Sequence, residues 1–144
     1  MLTPSGILES ALYVDNLEAA EACYRDVMGL ERIAKVEGRH VFFRCGDGVL
    51  LLFEPAQTVK PPAPDAKLPV PPHGARGQGH LCFRGTEDEI ERWKAHLHNN
   101  GVAIEADFHW PSSKPDEPKG GRSIYFRDPA GNSIEIANPM IWGL

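Results

Sequence analysis

Along the chain, runs of alternating apolar and polar residues give way to runs of helical period, and the order of these runs repeats once. "GILESALYV" at 6–14 has strand character. "DNLEAAEACYRDVMG" at 15–29 sets Leu17, Ala20, Tyr24, Val27 and Met28 on one helical stripe. Asp15 or Asn16 suits its N-cap, Glu18 and Glu21 suit the positive end of its dipole, and Gly29 suits its stop. "LERIAKVE" and "RHVFFRCG" read as strands joined at Gly38, and the hairpin signal "DG" at 47–48 leads into the strand "VLLLFE".

Residues 55–79 break the pattern. Seven prolines lie between Pro55 and Pro72, followed by Gly74, Gly77 and Gly79, which predicts an extended loop. The first pattern then returns. "GHLCFRG" is a strand and "TEDEIERWKAHLHNNG" a helix, with a Thr86–Glu89 capping box, a stripe of Ile90, Trp93 and Leu97, and a stop at Gly101. "VAIEADFHW" is a strand, "PSSKPDEPKGG" a second Pro-rich loop, and "RSIYFR" and "NSIEIAN" a hairpin across "DPAG".

The halves overlay. "VFFRCGDGVLLLFEP" lies on "IYFRDPAGNSIEIAN" without a gap, and "ESAL" lies on "HLCF". Each half is βαβββ, so the chain reads as an α+β duplication. Module 1 spans 6–55, the Pro-rich loop 56–78, module 2 79–139, and a short tail 140–144.

The overlay brings chemistry to matching positions. Glu9 on the first strand of module 1 faces His80 on the first strand of module 2. Glu135 sits on the last strand of module 2, where the ungapped overlay sets Leu52 in module 1. A lone Glu in a strand is ordinarily a solvated outer-face residue. Three metal-competent side chains at corresponding positions of apolar strands read differently. Their same-face neighbours, Ala11, Cys82, Ser133 and Ala137, leave room for a bound molecule. Burying two carboxylates and a histidine together is costly unless a cation joins them. We therefore expect Glu9, His80 and Glu135 to bind one divalent metal ion, a buried hydrogen-bonded polar cluster being the alternative. One nitrogen and two oxygens suit Mn2+, Fe2+, Co2+, Ni2+, Mg2+ or Zn2+.

Composition narrows the classes. The chain has 144 residues, 42% apolar and 24% charged, enough for one domain with a real core. The net charge is −5 with no basic run, so no nucleic-acid partner is expected. No apolar stretch reaches the ~18 residues of a membrane span. No signal peptide is read in "MLTPSGILES". Cys23, Cys45 and Cys82 form no CxxC pair and suit free thiols in a reducing cytoplasm.

The segments "ALYVDNLEAAEACYRDVMGL", "GHLCF" and "GGRSIYFRDPAGNSIEI" resemble the vicinal oxygen chelate superfamily, which groups glyoxalases, bleomycin resistance proteins and extradiol dioxygenases. The resemblance implies paired βαβββ modules in an open, U-shaped mixed β-sheet cleft around a metal, with the ligand positions on Glu9, His80 and Glu135. It also implies homodimers with sites shared between subunits, and a small-molecule substrate chelated through neighbouring oxygens. The chemistry expected is of lyase, isomerase or transferase type. Glyoxalase I relatives carry a fourth ligand, a Glu, where this chain reads Leu52, with Glu54 two residues on; the leucine argues against lactoylglutathione lyase activity. A bleomycin-resistance-like protein that sequesters a drug or toxin is the alternative reading, and an extradiol-type dioxygenase a lesser one. Fosfomycin resistance proteins share "SIYFRDP", with Ser123 and Tyr125 on antibiotic-contacting positions, but Glu9 and Ala11 depart from their pattern.

Glu54, Tyr125 and His73 are the candidate catalytic acid–base residues. His109 and Trp110 are candidates for the cavity mouth, and Arg122 for holding an anionic substrate. Cys82 lines the site without an acid–base partner. His40, His96 and His98 read as surface residues.

Overall fold

The structure, a computed structural model, describes residues 1–112, 114, 116 and 119–144, so part of the second Pro-rich loop lies outside the described residues. The chain divides into two compact units, Met1–Gly77 and Gln78–Leu144.

The first unit is built from β1 (Glu9–Tyr13), α1 (Leu17–Ala22), β2 (Glu31–Val36), β3 (His40–Cys45), β4 (Gly48–Phe53) and α2 (Pro55–Thr58). Its sheet order is β1-β4-β3-β2, with β1 and β4 parallel and the other pairs antiparallel. Asn16 caps α1 by accepting the Ala19 N–H at 3.0 Å. The helical run then widens into a π turn over Cys23–Val27 before Gly29 ends it at φ +70°. One sheet face carries Leu12, Val41, Phe43, Leu50 and Leu52, all buried against Leu17, Ala20, Tyr24 and Met28 of the helical segment. Full burial of such side chains is worth about 1.5–3 kcal/mol each.

The second unit contains β5 (His80–Arg84), α3 (Glu87–Asn99), β6 (Ala106–His109), β7 (Arg122–Arg127) and β8 (Ser133–Ala137), closed by a 3-10 turn at Pro139–Trp142. Its sheet order, β5-β8-β7-β6, repeats that of the first unit. The predicted capping box is present, Thr86 accepting from Glu89 N–H and Glu89 from Thr86 N–H. Ile90 and Leu97 of α3 are buried with Ile124, Phe126, Ile134 and Ile136 of the sheet. The molecule is thus a tandem βαβββ arrangement of two four-stranded mixed sheets, as the repeat in the sequence predicts.

Three details differ from the sequence reading. β1 starts at Glu9, and Ile7 and Leu8 before it are 84% and 73% exposed. The Pro-rich segment opens with α2, whose N-cap is Glu54 and whose first turn tolerates Pro55 because that position needs no N–H. The third is register. Four residues separate the paired Arg44 and Val49, whereas five separate Arg127 and Ser133. The second hairpin is one residue longer, so Glu135 corresponds to Leu51 and not to Leu52.

Candidate metal centre

The extra hairpin residue belongs to "DPAGN", and this loop builds the site. Asp128 is buried, and its Oδ1 accepts from the N–H groups of Ala130 and Asn132, both at 2.9 Å. Its Oδ2 accepts from the Asn132 side-chain amide, also at 2.9 Å. Gly131 completes the turn at φ +83°, a conformation that strains residues with a Cβ. Asn132, itself buried, accepts the N–H of Gly79 at 2.7 Å. The hairpin thereby fixes the start of β5, and the parallel ladder sets His80 beside Ser133 and Cys82 beside Glu135.

His80 and Glu135 meet on the sheet face opposite α3. The His80 Nδ1 lies 3.0 Å from the Ser133 carbonyl oxygen, which only accepts, so Nδ1 carries a hydrogen. The other ring nitrogen, Nε2, points at Glu135 Oε2 from 3.3 Å. Glu135 is 4% exposed, and its Oε1 is buried without a hydrogen-bond partner among the described residues. A buried polar atom left unpaired is costly. In the Nδ1–H tautomer, Nε2 and Oε2 are both lone-pair donors turned toward one point. A metal ion satisfies that arrangement: adjacent donors about 2.1 Å from one ion are about 3 Å apart, and a carbonyl behind the ligating histidine is the usual orienting partner. The donor pair therefore fits a divalent metal. Among the described residues no group of three or more His, Cys, Asp or Glu side chains is close enough to hold an ion.

Cys82 and Tyr125 flank Glu135 on neighbouring strands of the same face. Burial first, and then the Glu135 carboxyl, pushes the Cys82 thiol up to about 12, which makes it a poor nucleophile. The Tyr125 hydroxyl is likewise pushed up to about 12, by burial and then by Glu135. Tyr125 lies roughly parallel to the His80 ring, centroids 6.3 Å apart, and parallel to Phe108 at 5.9 Å. Phe108 in turn meets Trp110 at 5.1 Å. Sequence reading passed over Phe108; its signal was the alternation of "ADFHW", which sets Phe108 on the Tyr125 face.

The same face of the first unit is different. Glu9 is exposed at the start of β1, beside Val49. Leu51, at the Glu135 position, is 8% exposed and pairs with Ala11 and Phe42. Leu52 is fully buried on the helix-packed face. Glu54 caps α2 by accepting the Ala56 N–H at 3.2 Å. His73 accepts from or donates to the Tyr13 hydroxyl at 2.8 Å and packs edge-on to Phe53 at 4.6 Å. His40, expected at the surface, is half-buried and stacks on Phe42 at 4.2 Å; burial and then Arg39 lower its pKa.

Against known proteins, the model of the Glyoxalase/Bleomycin resistance protein/Dioxygenase superfamily matches residues 6–136. The chain belongs to this superfamily. It is 44% identical to a lactoylglutathione lyase from Agrobacterium tumefaciens, over 98% of each chain, with a TM-score of 0.87. A glyoxalase/bleomycin resistance protein/dioxygenase from Nocardioides, 18% identical over 96% of this chain and 85% of that one, shares the fold at a TM-score of 0.70. So does a fosfomycin resistance protein from Mesorhizobium loti, 19% identical over 94% and 93% of the chains, at 0.61.

Two sequence candidates in this superfamily member serve the opposite, helix-packed face. Arg122 binds Asp107 through two contacts of 2.7 and 2.8 Å and Glu91 at 2.7 Å. Its guanidinium holds Asp107 well below the usual carboxylate range. His109 pairs with Glu87 at 2.9 Å. Trp110 stays with the site, its indole N–H donating to the buried Ser123 hydroxyl at 2.9 Å. Among the described residues no helix is long and apolar enough to cross a membrane.

Proposed function

We propose that the protein is a metal-dependent enzyme that binds a small substrate through neighbouring oxygens, with His80 and Glu135 holding the divalent ion and Glu9 as the third ligand. The observation that carries this reading is the His80–Glu135 pair, two lone-pair donors converging beside a buried carboxyl oxygen that is unpaired among the described residues. When bound, the ion supplies Lewis-acid stabilisation of negative charge on a substrate oxygen. Ser133 keeps His80 in the ligating tautomer, and the Asp128–Asn132 loop keeps its strand in place.

Of the three acid–base candidates, Tyr125 is assigned the role of exchanging a hydrogen bond with substrate, because its ring shares the sheet face of Glu135. Glu54 is engaged as a helix cap and His73 by Tyr13. With leucine at both 51 and 52, neither alignment of the first unit offers a fourth carboxylate. The reaction is therefore kept at the class of lyase, isomerase or transferase chemistry on a chelated substrate. The Agrobacterium relative makes lactoylglutathione lyase activity the first assay. The working assembly is a homodimer, with Glu9 and the His80–Glu135 pair able to come from different copies.

Elemental analysis of protein reconstituted with Mn2+, Ni2+ or Zn2+ tests the reading. About one ion per chain is expected in the wild type, with loss in Glu135→Ala and in His80→Ala. Retention in both variants, or no ion in the wild type, refutes it. Mixing Glu9→Ala with Glu135→Ala chains restores one of the two sites of each heterodimer, about a quarter of all sites after random exchange, if copies share ligands, and none if they do not.

A further inference from the structure

We infer that the Glu135 face takes a ligand whose chelating oxygens are attached to a planar aromatic group, laid along Phe108 and Trp110. The inference rests on the metal reading above and extends it to the substrate class.

The argument starts from where the rings are. His80, Tyr125, Phe108 and Trp110 form a continuous row with successive centroid distances of 6.3, 5.9 and 5.1 Å. The row begins at the metal-competent pair and leads away from it across β7 to β6. Phe126, on the helix-packed face of this unit, is 1% exposed. Phe108 and Trp110 are each 39% exposed, although they lie on the face that carries the buried polar groups Glu135 and Ser123. They are also held in place. The Trp110 indole N–H is anchored on Ser123, and Phe108 lies within 9° of the Tyr125 plane. Fixed, half-open rings next to a polar anchor form a stacking platform, since aromatic pairs prefer offset or edge contacts at 4.5–7 Å. Trp110 also borders a cavity of about 470 Å³ with Met140 and Trp142, a volume within the range of small-molecule sites. The arginine that an anionic tail would need, Arg122, is turned to the other face and satisfied by acidic groups.

The test compares two chelators that differ only in the ring. Protein loaded with Mn2+ is titrated calorimetrically with acetohydroxamic acid and with benzohydroxamic acid, in the wild type, Phe108→Ala and Phe108→Tyr. We expect the wild type to favour benzohydroxamic acid by about tenfold. Phe108→Ala should lose most of that preference while binding acetohydroxamic acid as before, and Phe108→Tyr should keep it. Equal affinities in the wild type, or an unchanged preference in Phe108→Ala, overturn the inference alone. So does a change of oligomeric state in Phe108→Ala with the ring preference intact, because the platform would then be a contact between copies. Failure of acetohydroxamic acid itself to bind loaded protein overturns the metal-chelation reading, and the inference falls with it.

Discussion

The two units carry the same ladder and opposite contents. In both, the centre of the helix-packed face is apolar and sealed, with Leu12, Val41, Phe43 and Leu52 in one and Ile124, Phe126, Ile134 and Ile136 in the other. The other face diverges. Where the second unit has His80, Cys82, Tyr125 and Glu135, the first has Glu9, Ala11, Phe42 and Leu51. The sealed face sustains the fold, so it stayed apolar twice. The open face bears no such duty, so one copy holds a convergent polar pair and the other an aromatic cluster of Tyr13, His40, Phe42, Phe53 and His73. The ion networks diverge too. In the first unit a buried carboxyl on α1, Glu21, is held by Arg32 at 2.5 Å and Lys35 at 2.9 Å of β2. In the second the polarity is reversed, and a cation on β7, Arg122, is held by carboxylates of β6 and α3.

The largest effect that can break this comparison lies in β4. Leu52→Glu forces a carboxyl into a sealed face and should leave no folded protein, because a fully buried unpaired charge is far too costly. Leu51→Glu sits at the Glu135 position and should fold, with a loss of about 2 kcal/mol in urea unfolding. If the two variants behave alike, the register correspondence fails.

Next comes Arg122→Ala, which leaves Asp107 with Lys94 as its remaining cation. A loss of about 3 kcal/mol is expected, as for breaking a buried ion pair. Its pH dependence has a defined sign. The folded Asp107 carboxyl lies below its ordinary value chiefly because of the Arg122 hydrogen bond. Its contribution is therefore complete above the ordinary carboxylate pKa and lost as pH falls through the folded value. Arg122→Ala should raise the midpoint of acid unfolding. Trp93, Trp110 and Trp142 all lie in the second unit, so tryptophan fluorescence reads that unit. An unchanged midpoint would remove the network from the account of stability.

A smaller loss, about 1 kcal/mol, is expected from Thr86→Ala, which deletes the capping box of α3. Asn16→Ala at the matching cap of α1 should cost a similar amount. Unequal losses, read by urea unfolding, would show that the two helices contribute differently. The smallest expected effect is Tyr13→Phe. It removes one partly buried hydrogen bond, worth about 0.5–1.5 kcal/mol. It should also speed proteolysis near His73, whose backbone N–H is otherwise held by Thr58.

How much of the site was legible follows from which interactions are local. Glu135 stood out because a carboxylate in "SIEIA" breaks an apolar run, and His80 because the repeat set it at a matching position. The capping box, Asn16 and Gly29 are likewise decided within a few residues. Phe108 was missed because its partner, Tyr125, lies across the ladder. Arg122 was misread because one step along the strand turns a side chain to the other face. Glu54 caps a short helix that the strand pattern before it does not announce.

The sequence by itself determined the duplication, the order of elements and the apolar face of each sheet, because these depend on period, caps and turns that neighbouring residues specify. Tertiary structure alone decided that the second hairpin is one residue longer, that Glu135 therefore answers to Leu51, and that His80 turns Nε2 toward the buried Glu135 carboxyl. Those facts depend on strand register and on hydrogen bonds between residues more than fifty positions apart, and register is set by the whole sheet rather than by any one stretch of chain.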